Sequence, residues 1–375
     1  MEIFERLAEQ PDLWETLQRT AKTVVLYGMG NGADKILQVC AAKGIAVREV
    51  FASDGFVRGQ SFHGMRVRRW SDLRAQYGAE NLTVLLGFGS SRPEVLETVS
   101  RLCGETEVLV PDVPVFGEGL FDRPFFTAHL PELRAVRALL SDDRSRAVFD
   151  GILEEKLTGS LPALLAARDD ADEVLETFLA GRNIRTAGDF GAYTGDTVRD
   201  LLDRCPRVET VYAMEPDARN FAKLERFAAA ETRARVVPVC AAAWNAGTAL
   251  LFDASGNRNA SASANRSDVL SDRPAKIVRL DALPPDLVFG SDRADYLKYD
   301  VEGSEEEALL GSRRIISESL PLLSVSLYHR VGDLFSLPLL IHRLFPAYRG
   351  FFLRRPGGGF PAWDLNLYVT KESAL

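Results

Sequence analysis

Short apolar runs and amphipathic stretches alternate along most of the chain, in two series separated by a middle section of different character. Phe4, Leu7, Leu13 and Leu17 lie near helical spacing and predict one helix over 2–20. TVVLY, a glycine turn and DKILQVCAA then read as strand, turn and helix, and AVREVFASD reads as a strand ending at Asp54. NLTVLLGFGSSRPEVLETVSRL repeats the scheme, and EVLVPDV adds one more strand. Strands alternating with helices at this spacing predict a parallel sheet covered on both faces, so residues 1–112 read as a helix and a small Rossmann-like α/β domain. Residues 113–180 read as a connector, first rich in proline and phenylalanine (Pro114, Phe116, Phe121, Pro124, Phe125, Phe126, Pro131), then helical. From 181 to 375 a second α/β series runs through NIRTAGDF, ETVYAMEP, RVVPVC, DYLKYDV and PLLSVSLYH. GFFLRR and LNLYVT close it, joined by PGGGFPAWD, whose glycines suit a hairpin and predict a mixed sheet with an antiparallel edge. The small, polar stretch 253–275 reads as a mobile loop or lid.

At 375 residues the chain exceeds the size one core usually serves, which agrees with two α/β domains. A net charge of −8 without a dense Lys/Arg run disfavours nucleic-acid binding. Cys40, Cys103, Cys205 and Cys240 form no CxxC pair, so neither a disulfide framework nor a thiolate zinc site is expected. The first residues are acidic and amphipathic, and no apolar run approaches membrane-spanning length; the expectation is a cytoplasmic protein with no membrane partner.

Two glycine loops carry the candidate chemistry. Gly28-Met29-Gly30-Asn31-Gly32-Ala33 fits G-x-G-x-x-G/A after a strand, with Asp54 placed to meet ribose hydroxyls. It reads either as a nucleotide site or as a Rossmann-like domain that kept the turn and binds no dinucleotide. The second reading is preferred, since 55–112 offers no obvious proton donor for hydride chemistry. The loop Asp189-Phe190-Gly191-Ala192-Tyr193-Thr194-Gly195-Asp196-Thr197 puts an acid ahead of the first glycine, where it would repel a pyrophosphate but not an ammonium. S-adenosylmethionine (SAM) carries an ammonium, a sulfonium and an adenosine, and no phosphate. Glu215-Pro216-Asp217 ends the next strand, with Glu215 placed for both ribose hydroxyls and Pro216 suited to the first helical position. Val239, Ala241 and Ala242 would lie near the adenine, or in ordinary core. Asp300 and Glu302 follow the fourth strand and point to the same crevice. His329, ending the fifth, is a candidate general base; Asp300, Glu302 and His329 could instead hold a divalent cation such as magnesium.

At D-x-G-A-x-x-G-D-T (189–197), E-P-D (215–217), Leu280-Asp281, K-x-D-V-E-G-S-E (298–305), Leu327-Tyr328-His329 and the closing W-D-L-N-L-Y, the chain resembles the FkbM family of SAM-dependent methyltransferases over about 181–375. The resemblance implies a class I methyltransferase fold and, usually, methylation of a hydroxyl on a sugar or polyketide-type acceptor. Carried over, Asp189, Gly191, Thr194, Gly195, Asp196, Thr197, Glu215, Pro216, Asp217 and Asp300 would hold SAM, while Asp300, Glu302 and His329 line the acceptor side. Two departures stand out: Leu353-Arg354-Arg355-Pro356 carries no histidine after the arginine, and 239–244 offers no acid to the adenine amino group. The expected partner is a small-molecule acceptor, a carbohydrate among the candidates, with Phe351, Phe352, Phe360 and Trp363 available to stack on a ring or to fill core. A homo-oligomer through the N-terminal helix face or the 116–126 stretch is a further expectation. The rival readings are a nucleotide-dependent oxidoreductase or sugar-modifying enzyme run by the first glycine loop, and a non-catalytic binding protein.

Overall fold

A computed structural model describes residues 3–253, 262–263, 277–357 and 359–374. The first series folds into a six-stranded sheet of β1 (Thr23–Tyr27), β2 (Val47–Phe51), β3 (Ser61–Phe62), β4 (Met65–Arg68), β5 (Leu82–Leu86) and β6 (Glu107–Leu109), in the order β3-β4-β2-β1-β5-β6. All neighbours are parallel except the β3–β4 hairpin. Every residue of β5, LTVLL, is buried, as a central parallel strand covered on both faces requires.

The second series contributes β7 (Thr186–Phe190), β8 (Thr210–Met214) and β9 (Arg235–Val239). A small four-stranded sheet follows, built from β10 (Ala242–Ala243), β11 (Thr248–Asp253), β12 (Ala262–Ser263) and β13 (Ile277–Leu283). Then come β14 (Tyr296–Tyr299), β15 (Leu322–Ser326), β16 (Gly350–Arg354) and β17 (Asn366–Thr370). The seven-stranded order is β16-β17-β15-β14-β7-β8-β9, with β17 antiparallel to both β15 and β16. This is the mixed sheet with an antiparallel edge that the closing hairpin predicts. The four-stranded sheet is an addition: TALLFD and IVRLDAL pair antiparallel, although the polar stretch between them hides the hairpin in the sequence. That stretch, 253–275, lies outside the described residues except at Asp253, Ala262 and Ser263.

The expected helix over 2–20 is two helices, Ile3–Glu9 and Leu13–Arg19. Asp12 stops the first and starts the second with a capping box. Its Oδ1 accepts from the Glu15 amide at 2.8 Å and its own amide donates to Glu15 Oε2 at 3.0 Å. Phe4, Leu7, Leu13 and Leu17 are buried, as are Phe116, Phe121 and Phe126. These apolar side chains pack into the protein's own interior.

One hydrophobic cluster runs from Val84 and Leu86 of β5, through Phe149 and Ile152 of the connector helix Asp143–Thr158, to Val325 and Leu353 of the second sheet. The two sheets thus share a core. The first glycine turn belongs to this packing. Gly28 has φ +119°, and a Cβ there would press on the Phe88 ring, while one at Gly32 would press on the Gly87 carbonyl. These glycines let the loop after β5 close over the turn, and Asp54 sits exposed in a short helical turn beyond β2. Among the described residues no helix is long and apolar enough to cross a membrane.

Candidate active site

The carboxyl ends of β7, β8 and β14 open on a cavity of about 600 Å³. Backbone geometry shapes its floor. Gly191, at φ +85°, passes so close to the end of β14 that any Cβ would collide with the Asp300 carbonyl oxygen. The Gly191 and Ala192 amides both donate to the Met214 carbonyl at 3.0 Å, which locks this turn to β8. Tyr193 and Glu302 are non-glycine residues held at positive φ, +48° and +54°, and both line the cavity. Backbone strain of this kind persists only where the surroundings enforce it.

Of the residues expected to hold the donor, Gly191, Asp196, Thr197, Glu215, Pro216, Asp217 and Asp300 line the cavity. Thr194 and Gly195 shape the turn behind it; Gly195, at φ +88°, lets the Phe227 ring pack where a Cβ would stand. Asp189 is a correction. Its carboxylate is buried beneath the turn, accepting from Thr197 Oγ1 and ion-paired with Lys298 Nζ at 3.2 Å, so it braces the loop and does not face a ligand. Asp217 spends its carboxylate as a helix cap, accepting from the Arg219 and Asn220 amides at 2.9 and 3.0 Å.

Glu215 is buried at the lip of β8, where its Oε2 accepts from the Tyr193 amide at 2.9 Å and its Oε1 from the Asp217 amide at 2.8 Å. Burial pushes its carboxyl up to about 7 against the pull of those amides. Each oxygen keeps a lone pair for a ligand hydroxyl. Met214, Ala242 and Ala243 supply the apolar wall beside it; Val239 and Ala241, expected near the adenine, are not in the lining.

The acceptor end holds the largest departure from expectation. His329 is wholly buried and does not line the cavity. Its Nδ1 lies 2.9 Å from Glu305 Oε1, and its Nε2 lies 3.4 Å from Glu302 Oε2 and 3.5 Å from Asp300 Oδ1. These are ion-pair contacts set off the N–H axes, so neither ring nitrogen makes an aligned hydrogen bond. Burial opposes a charge on the ring, yet Glu305, Glu302 and Asp300 outweigh it and raise the imidazole to about 10. Walled from the cavity, the ring is placed to balance these carboxylates and does not reach the space where the sequence suggested a general base. Three donor atoms from Asp300, Glu305 and His329 lie within 4.8 Å of one another, a spread that could suit a divalent ion. A divalent ion there would have to displace the proton that these carboxylates draw onto the ring.

Asp300 and Glu302 do face the cavity, and their environments push them apart. Burial works against ionising Asp300, but Lys298 (Nζ at 3.7 Å), His329 and the Tyr328 hydroxyl (3.0 Å) together hold it below the usual carboxylate range. Burial dominates at Glu302 and lifts it to about 8, the neighbouring His329 offsetting only part of that. Lys298 and Tyr328, which the sequence reading left without roles, also line the cavity. The available signal for Lys298 was strand alternation, which puts it on the same side as Asp300.

The far wall comes from the first half of the chain. Gly89, Ser90, Ser91 and Arg92, after β5, and Val115 of the connector line the cavity opposite the seven-stranded sheet's contribution, together with Phe360, Trp363 and Asp364. Paired backbone bonds, Ser90 amide to Phe360 carbonyl (3.0 Å) and Phe360 amide to Ser90 carbonyl (3.2 Å), staple the two loops. Trp363 packs on Gly89 where a Cβ would stand. Phe351, Phe352 and Phe360 are core, and Trp363 alone of the four candidate stacking aromatics is exposed, at 36%.

Residues 189–351 match the methyltransferase FkbM domain. The fold is similar to a solved methyltransferase FkbM from Methylobacillus flagellatus KT, with 20% identity over 98% of this chain and 97% of that one and a TM-score of 0.69. Precorrin-6y C5,15-methyltransferase from Geobacter metallireducens covers 53% of this chain and 86% of its own at 10% identity and TM-score 0.32. An rRNA methylase from Streptococcus thermophilus covers 53% and 92% at 8% and 0.34. No curated protein matches the sequence. Residues 189–351 are thus similar to the methyltransferase FkbM domain, and the mixed α/β fold is similar to that of a solved methyltransferase.

Proposed function

We propose that this chain transfers a methyl group from SAM to a hydroxyl of a small, carbohydrate-like acceptor. The observation that carries the reading is the placement of Glu215 and the Asp300/Glu302 pair around one cavity, with carboxylates outnumbering cations on its wall. Asp196, Glu215, Asp217, Asp300, Glu302 and Asp364 face it, against Arg92 and Lys298. Such a wall repels a pyrophosphate and suits a positively charged donor. The chain's residues fit SAM on that count and on the free lone pairs of Glu215. When bound, SAM supplies a methyl group activated by a positively charged sulfur. Glu215 accepts from the vicinal ribose hydroxyls, Met214, Ala242 and Ala243 cover the base, and the Gly191 turn allows close backbone approach. Glu302 takes the proton from the acceptor hydroxyl, and the wall from both halves of the chain orients the acceptor and excludes water. Ser90, Ser91, Tyr328 and the exposed indole of Trp363 support a hydroxylated ring as acceptor.

Calorimetric titration tests the donor assignment. SAM is expected to bind wild type, and Glu215→Gln to weaken it by about ten- to a hundredfold, the worth of hydrogen bonds to a charged acceptor. Binding of NAD(P) in its place, with SAM ignored, would contradict the proposal.

A further inference from the structure

The charges of the cavity are unevenly distributed. The wall contributed by 191–304 presents five carboxylates, Asp196, Glu215, Asp217, Asp300 and Glu302, and its one cation, Lys298, is engaged with Asp189 and Asp300. The segment 89–115 contributes one cation, Arg92, and the hydroxyls of Ser90 and Ser91 to the lining, and the only carboxylate on this wall among the described residues is Asp364. The ion pair of Arg92 with Glu94 is weak: Glu94 Oε1 lies 3.7 Å away, and the two side chains are 64% and 67% exposed.

This wall is fixed in place. Besides the Ser90–Phe360 backbone pair, Lys35 Nζ donates to the Pro114 and Val115 carbonyls at 2.7 Å each, and the Phe116 amide donates to the His329 carbonyl at 2.9 Å. Phe116 also seats the Arg330 guanidinium, 4.4 Å from its ring centroid, while Arg330 Nε donates to the Gly303 carbonyl at 2.6 Å. The first half of the chain is thereby tied to the turn that presents Glu302.

We infer that the N-terminal Rossmann-like domain is the acceptor-recognition wall of this active site, and that Arg92, with Ser90 and Ser91, holds an anionic group on the hydroxylated acceptor. The inference rests on the methyl-transfer reading. A guanidinium beside two hydroxyls suits a carboxylate or a phosphate ester equally, and opposite the acid-lined donor side it sorts an anionic acceptor from a cationic donor.

The test is calorimetry on the full chain saturated with S-adenosylhomocysteine, titrating glucuronate, glucose 6-phosphate and glucose. Wild type is expected to bind at least one of the two anionic sugars about ten- to a hundredfold more tightly than glucose, and the better of the two identifies the anion. Arg92→Gln is expected to erase that preference, and Arg92→Lys to keep part of it. In both variants the affinity for S-adenosylhomocysteine should stay as in wild type, because Arg92 comes from the loop after β5 and not from the strand ends that carry Glu215, Asp300 and Glu302. Equal or undetectable binding of all three sugars by wild type, or a preference that survives Arg92→Gln, overturns the inference. Failure of S-adenosylhomocysteine to bind wild type overturns the methyl-transfer reading instead.

Discussion

Glu302→Gln is expected to lower kcat by about 10²–10⁴-fold, the usual span of general-base assistance, while donor affinity stays within a few-fold of wild type. The argument rests on where the two carboxylates at the acceptor end sit. Asp300 is surrounded by Lys298, His329 and the Tyr328 hydroxyl and is held below the ordinary range, which makes it a poor proton acceptor at neutral pH. Glu302 reaches the same cavity at the tip of a strained turn, and burial lifts it to about 8, where a carboxylate is a far better base. The sign follows: the base form is the deprotonated one, so kcat/KM for wild type should rise with pH through about 8 and level off above it. Glu302→Gln should lose that rise, and Asp300→Asn should keep it. A Gln variant with an unchanged rate, or one that retains the inflection, would remove Glu302 from the role.

The parts of the site that the sequence displayed are those fixed by local geometry. A strand ending in a turn sends its last side chains past the sheet edge, so Glu215 after β8 and Asp300 and Glu302 after β14 could be placed from strand order alone. The same logic misplaced Asp189. It belongs to β7 itself, and only the register β14–β7, which sets Lys298 opposite Asp189, reveals the ion pair that draws it beneath the turn. His329 was misread for a related reason. Its partner Glu305 begins the helix Glu305–Leu310, where an acid in the first turn suits the helix dipole, a role that says nothing of its distance from another strand's end. The far wall was the least legible part. Ser90 and Phe360 pair across nearly the whole chain, and no composition shift, motif or spacing in either segment points to the other.

A buried imidazolium among acids makes a prediction that separates its two possible duties. His329→Asn leaves Glu305, Glu302 and Asp300 facing one another without the cation that offsets them, and breaking a buried ion pair on one side costs about 3–5 kcal/mol. The melting temperature should fall by roughly ten degrees, at about 2–4 °C per kcal/mol for domains of comparable size. The pH dependence carries the assignment. The folded value is raised from 6.5 to about 10, so the stability this ring contributes is fully present below about 6.5 and disappears as pH rises through 10. The gap between wild type and variant should therefore be widest near pH 6 and close progressively toward pH 10. Adding Glu305→Gln to His329→Asn should return part of the loss, since it removes one of the carboxylates left uncompensated. If His329→Asn melts with wild type at every pH and yet has lost its turnover, the ring handles the acceptor's proton after all, and the charge-balancing account of this site is wrong.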